Sequence, residues 1–203
     1  MTLQRWSVLR VLLAAGVLAG AAFSAVQVTS LLQPATDSLV DPSPTCGTDD
    51  VMVLMAEAVP EATMVPCIGA IPAGWTVHRT DIAKGRAAFS LDSDTAGERA
   101  IEAVLVPREQ CDLEGAFAAP TDEPGTERFE DPEQLEPSLR LTRYYLFEGG
   151  CVEYRLRFSS GSMTALLFQA DQILAFQQRS VLVDEVHGDA GLRLCGAGAP
   201  CAD

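Results

Sequence analysis

The chain is poor in the residues that most often carry catalysis. Lys84 is its only lysine, His78 and His187 are its only histidines, and aromatic residues make up 6% of it. With one lysine, a Schiff-base or Ser-Lys mechanism has to use Lys84. That residue sits in Ile82-Ala83-Lys84-Gly85-Arg86, which reads as an exposed hairpin turn. There is no GxSxG elbow and no CxxC pair, and neither histidine is spaced from the other or from a cysteine like a metal-ligand pair. Ser162 follows a glycine but reads as a helix cap. Asp92-Ser93-Asp94-Thr95-Ala96-Gly97 begins like a calcium loop, but the fifth position is Ala96 and the twelfth would be Ala103 where a bidentate Glu is needed. We therefore expect no catalytic residue, no metal ligand and no cofactor.

Charge is also missing from a long stretch. Arg5 and Arg10 are the only charged side chains before Asp37, and Val11–Thr36 carries none. The apolar run from Val11 to Leu32 is close to the roughly 20 residues that a helix needs to cross ~30 Å of hydrocarbon. Trp6 is placed as an interfacial aromatic, and Gly16 and Gly20 form a small-xxx-small pair. Basic residues before the run and acids after it keep the amino end cytoplasmic and export the remainder. The rival reading is a cleaved signal peptide with Ala19-Gly20-Ala21 as its small-residue site. The apolar character continues to Leu32, which favours an uncleaved anchor. The expected layout is a stub and transmembrane signal anchor over 1–32, a Pro- and Ser-containing tether over 33–45, and one extracytoplasmic domain over 46–203.

All 28 acidic residues but only twelve of the 14 basic ones lie beyond residue 36, so the exported part has a formal charge of −16. Such a surface repels nucleic acid and anionic lipid headgroups, which argues against DNA or RNA as a partner. The membrane, through residues 11–32, and a protein of the cell envelope are the expected partners. Thirteen arginines against one lysine, with abundant Ala, Gly and Val, suggest a GC-rich bacterial genome.

Cys46, Cys67, Cys111, Cys151, Cys195 and Cys201 are even in number and all lie in the exported part, which implies structural disulfides. Sequence does not select one pairing; the expected one is 46–67, 111–151 and 195–201.

Asp49 and Asp50 precede a short apolar helix over Val51–Val59, stopped by Pro60. Trp75–Ala83, Arg86–Asp92 and Ala100–Val106 read as strands. The clearest element is a hairpin of Leu139–Phe147 and Cys151–Phe158 joined by Glu148-Gly149-Gly150. Leu139, Leu141, Tyr145 and Phe147, with Val152, Tyr154, Leu156 and Phe158, share the core face. Arg143 falls on the same parity, and a bulge or an edge position is expected there. Arg140, Thr142 and Tyr144, with Glu153, Arg155 and Arg157, face away. Arg140, Arg155 and Arg157 make a candidate face for an anion or a partner. The acidic stretch between Ala119 and Ser138 reads as a long solvated loop, with docking of a basic partner or folding back on these arginines as its alternatives. A helix follows Ser160-Gly161-Ser162, with Met163, Leu166, Leu167, Ala170, Ile173 and Leu174 at helical spacing, and a last short helix lies around Ser180–Val186. Strands followed by helices argue an α+β domain with an antiparallel sheet and a few helices.

Ala58-Val59-Pro60-Glu61-Ala62-Thr63-Met64-Val65-Pro66-Cys67, Pro72-Ala73-Gly74-Trp75, the Phe89–Gly97 stretch and Arg143–Val152 resemble a group of actinobacterial membrane-anchored proteins with no assigned function. That resemblance implies an extracytoplasmic, plasma-membrane setting and brings no site residues. Together these features point to a non-catalytic accessory or interaction domain. A hydrolase-like cell-envelope enzyme and a binder of small ligands are the alternatives.

Overall fold

The computed structural model describes Cys46 and residues 50–197. The expected anchor over 11–32, the tether and Cys201 lie outside the described residues. Among the described residues no helix is long and apolar enough to cross a membrane.

The chain forms an antiparallel sheet with a few helices, in the order α1 (Asp50–Ala58), β1 (Met64–Ile68), β2 (Trp75–Ala83), β3 (Arg86–Ser93), β4 (Gly97–Pro107), β5 (Phe117–Ala119), β6 (Glu127–Gln134), β7 (Leu139–Phe147), β8 (Gly150–Phe158), α2 (Met163–Ile173), β9 (Leu174–Gln178) and α3 (Arg179–Ala190). Seven strands make one sheet in the order β2-β3-β4-β8-β7-β6-β5, and β1 pairs with β9 in a two-stranded ribbon. Every pairing is antiparallel.

Strand alternation sorts the sheet into two faces. Phe89, Leu91, Ile101, Leu105, Val152, Leu156 and Phe158 are buried on the inner face, in the same core as Met52 and Met55 of α1, Val59 just after it, and Leu166 and Ile173 of α2. Met52, Met55, Ala56 and Val59 recur at i, i+3, i+4 and i+7, the stripe a helix needs to bury one side. The outer face carries a smaller apolar cluster of Ala88, Val104, Val106, Leu146 and Cys151. Cys111 packs against it and is bonded to Cys151, which ties down the segment after β4.

Two of the expected disulfides are present: Cys46–Cys67, with Cα atoms 5.8 Å apart, and Cys111–Cys151, with Cα atoms 6.1 Å apart. The 195–201 pairing lies outside the described residues.

Several expectations need correction. The stretch between Ala119 and Ser138 is only partly loop: Glu127–Gln134 is a strand that extends the sheet beyond β7. Its acids do not fold back on Arg140, Arg155 and Arg157; Glu130 turns inward to Arg128 and Arg143 instead. The ribbon of β1 and β9 was not anticipated, because Met64–Ile68 is short, contains Pro66 and lacks alternation. Leu174 begins β9 where the helical spacing placed it at the end of α2. Ser162 occupies the N-cap position of α2 without a side-chain cap bond. Ser159 and Ser160 instead donate to the carbonyls of Ala96 (2.7 Å) and Thr95 (2.6 Å), fastening the chain to the β3–β4 turn.

Gly149 has φ +72°, and a Cβ there would lie 1.7 Å from the Glu61 carbonyl oxygen. The β7–β8 turn therefore presses directly on the segment between α1 and β1, where Thr63 donates through both its backbone N–H (3.0 Å) and its hydroxyl (2.9 Å) to the Glu148 carbonyl.

Candidate ligand cleft

Arg143 occupies neither a bulge nor an edge. β7 runs in unbroken register with β8 from Leu139↔Phe158 to Phe147↔Gly150, and β6 covers its other side. Arg143 therefore points to the inner face, only 6% exposed, opposite Tyr154 on one side and Glu130 on the other. A charge in such a place needs partners. Its Nε lies 3.2 Å from Glu130, and its Nη1 is bonded to Asp171 of α2. Burial opposes the Arg143 charge, but Asp171 and Glu130 more than offset this and raise its pKa above the ordinary arginine value.

The inner face thus changes character across the sheet. One cross-strand row runs Phe89, Ala103, Tyr154, Arg143, Glu130, apolar at one end and ionic at the other. The adjacent row runs Ala87, Leu105, Val152, Tyr145, Arg128. Arg128 is bonded to Glu130, and its guanidinium lies over the Tyr145 ring, 5.9 Å from the centroid.

Where the face turns polar the overlying layer leaves a cleft of about 260 Å³. Tyr145 and Arg128 line it from the sheet, Asp171 and Gln172 from α2, Phe176 from β9, and Asp122 and Glu123 from the turn before β6. The Phe176 ring is tilted against Tyr145 at 5.3 Å, which gives the cleft an aromatic wall. Tyr154 below donates its hydroxyl to the Ala170 carbonyl (2.7 Å), which locks α2 onto the sheet. Complete burial pushes the Tyr154 hydroxyl pKa well up, so it stays a neutral donor.

Tyr145 and Glu123 are among the cleft side chains that lack protein partners among the described residues. Tyr145 is 9% exposed, and its hydroxyl makes no hydrogen bond. Burial first, set against the nearby Arg128 and Arg143 charges, raises its pKa. Glu123 forms no ion pair, and half-burial raises its carboxyl pKa above the ordinary value. The lining supplies carboxylates, two phenols and the Thr121 hydroxyl, which is bonded to Thr126 (3.1 Å) and accepts from the Glu123 N–H (3.1 Å).

No family model, curated protein or solved structure matches this chain.

The arginines expected to form an anion face do not act together. Arg155 is held by Glu102 (3.1 Å) and by Glu153. Glu102 also meets Arg86 (3.6 Å), which meets Asp81 (3.6 Å), so Arg155 belongs to a charge ladder crossing four strands of the outer face. Arg140 and Arg157 sit directly opposite each other on β7 and β8, both exposed and without an acidic partner among the described residues.

The calcium-like segment is a tight turn, with Ser93 Oγ accepting from the N–H groups of Thr95 (3.3 Å) and Ala96 (3.1 Å). Asp92 is spent on protein contacts: one oxygen accepts from the Arg99 N–H (2.7 Å) and the other meets His78 Nδ1 (2.9 Å). The Arg99 N–H bond, then the His78 contact, hold the Asp92 carboxyl below its ordinary pKa. Among the described residues no group of three or more potential metal ligands converges.

Proposed function

We propose that this protein is a membrane-anchored, extracytoplasmic recognition domain of the plasma membrane, accessory to a partner or ligand that it engages through the cleft beside Tyr145, and that it is not an enzyme. The observation that carries the reading is the pairing of a rigid floor with an unsatisfied wall. Arg143, Glu130 and Asp171 are committed to one another, whereas the Tyr145 hydroxyl and the Glu123 carboxylate are spent on nothing. Preorganised polar groups beside apolar surface are what binding sites present. The chain's charge distribution, with two arginines before the neutral run and every acid after it, supports the anchored and exported setting.

The alternative of a cell-envelope hydrolase draws on the carboxylates at the cleft. It is weakened by Asp171 and Glu130, whose charges are neutralised by buried guanidinium groups and are poorly available as acid or base. The reading is tested by crosslinking and recovery from native membranes, comparing the parent chain with Gln172→Trp, which fills the cleft from α2. Loss of a stoichiometric partner or ligand in the variant is the expected result. Equal recovery from both, or turnover of an envelope substrate by the purified chain, would overturn it.

A further inference from the structure

We infer that the cleft takes an organic cation of side-chain size, an ammonium or guanidinium, bound between the Glu123 carboxylate and the Tyr145 hydroxyl oxygen with its apolar part against Phe176. This deepens the proposed recognition function and rests on it.

The charge balance around the cleft sets the sign of the ligand. Asp122, Glu123 and Asp171 line it and Glu130 lies behind, against Arg128 and Arg143. Both arginines are already answered by Glu130 and Asp171, so the surplus is negative and sits at the mouth, on Asp122 and Glu123. A carboxylate that is half withdrawn from water with no counter-ion is at a disadvantage until a cation arrives.

The Tyr145 hydroxyl is a second and independent pointer. It is nine-tenths buried, faces no protein partner and lies in the lining of the same cleft. The hydroxyl opens into the cleft with no protein group engaging it, which leaves its oxygen free for an N–H donor from a ligand. Phe176, tilted against Tyr145, offers the apolar surface that an aliphatic or aromatic stem would cover. A volume of about 260 Å³ has room for a group the size of an arginine or lysine side chain. The strongly acidic exported chain would concentrate cationic ligands near the mouth.

The test uses the full chain and three probes of nearly one shape: benzamidine, neutral benzamide and anionic benzoate. Binding is read by calorimetry and by NMR shifts of Tyr145 and Phe176. Benzamidine is expected to bind about tenfold tighter than benzamide, the value of one charge-assisted contact, and tighter than benzoate. Glu123→Gln should lower benzamidine affinity by about the same factor. The thermal midpoint of that variant should not fall, because the folded state is relieved of a poorly solvated charge; a lost affinity is then not misfolding. Tyr145→Phe should weaken benzamidine and leave benzamide less affected.

A short arginine-containing peptide distinguishes the sources. Tighter binding than benzamidine indicates a side chain of a protein partner, and equal or weaker binding a free small molecule. Benzamide or benzoate binding as tightly as benzamidine would overturn the cation assignment and leave the recognition cleft standing. If no probe shifts Tyr145 or Phe176, and Gln172→Trp changes nothing in native membranes, both readings fall.

Discussion

Replacing Arg143 with Met tests whether the ionic row holds α2 to the sheet. Met keeps much of the side-chain volume but removes the charge, leaving Glu130 and Asp171 without it. Removing one member of a fully buried ion pair costs about 3–5 kcal/mol. Two features lower that figure here. The Asp171 side chain is 52% exposed and can rehydrate, and Glu130 keeps Arg128. The expected loss is about 2–3 kcal/mol. For a domain of this size that lowers the thermal midpoint by about 4–12 °C. Thermal unfolding followed by near-ultraviolet circular dichroism measures it. The double variant Arg143→Met/Asp171→Asn should lose less than the sum of the two single changes, with a coupling of about 1–2 kcal/mol, because the second change removes the carboxylate that the first left stranded. A single variant as stable as the parent, or strict additivity in the cycle, would show that the guanidinium is solvated and that the ionic floor of the cleft does not exist.

Gly149→Ala should destabilise by about 3 kcal/mol or more, since the residue adds a left-handed penalty to a clash with the Glu61 carbonyl; the same melt reads it, and a shift within error would mean the turn is not pinned there. Removing the Cys111–Cys151 bridge as Cys111→Ala/Cys151→Ala should cost about 2–4 kcal/mol in denaturant unfolding, from a closed loop spanning 40 residues of sequence separation. The lowered pKa of Asp92 sets a pH dependence: its contribution is present above its unfolded value and fades as pH falls through the folded one. The Arg99 amide resonance should therefore move in acid below about pH 4, and Asp92→Asn should abolish that movement. Tyr154→Phe should cost about 1 kcal/mol through the lost hydroxyl bond to the Ala170 carbonyl, which keeps the Leu174 N–H, with the melt again as the readout.

The hairpin β7–β8 was legible in sequence because alternation over both arms, broken only at Arg143, fixes the face each arm buries and Gly149-Gly150 marks the turn. The disulfides 46–67 and 111–151 join cysteines consecutive in the chain, as expected, although sequence does not select that pairing. β6 was hidden by its composition: seven acids between Ala119 and Ser138 look like solvated chain, and nothing in Glu127–Gln134 reveals that Arg143 will neutralise one of them. The short β1 and β9 owe their form to each other and carry no local pattern. The one visible clue to the cleft was Arg143 on an apolar parity. Its meaning, a buried cation with two acids around it, depends on a partner strand and a helix that sequence spacing does not bring together. Tyr145 gave no such signal, since an inward tyrosine and an inward phenylalanine leave the same periodicity.

The most direct measurement places a photoreactive side chain at Gln172, lining the cleft, or at Arg157, on the opposite face, in the full chain in its native cells. Adducts formed from position 172 and absent from 157 are the predicted outcome. Adducts from 157 alone, or identical ones from both, would contradict a recognition site on the inner face of the sheet.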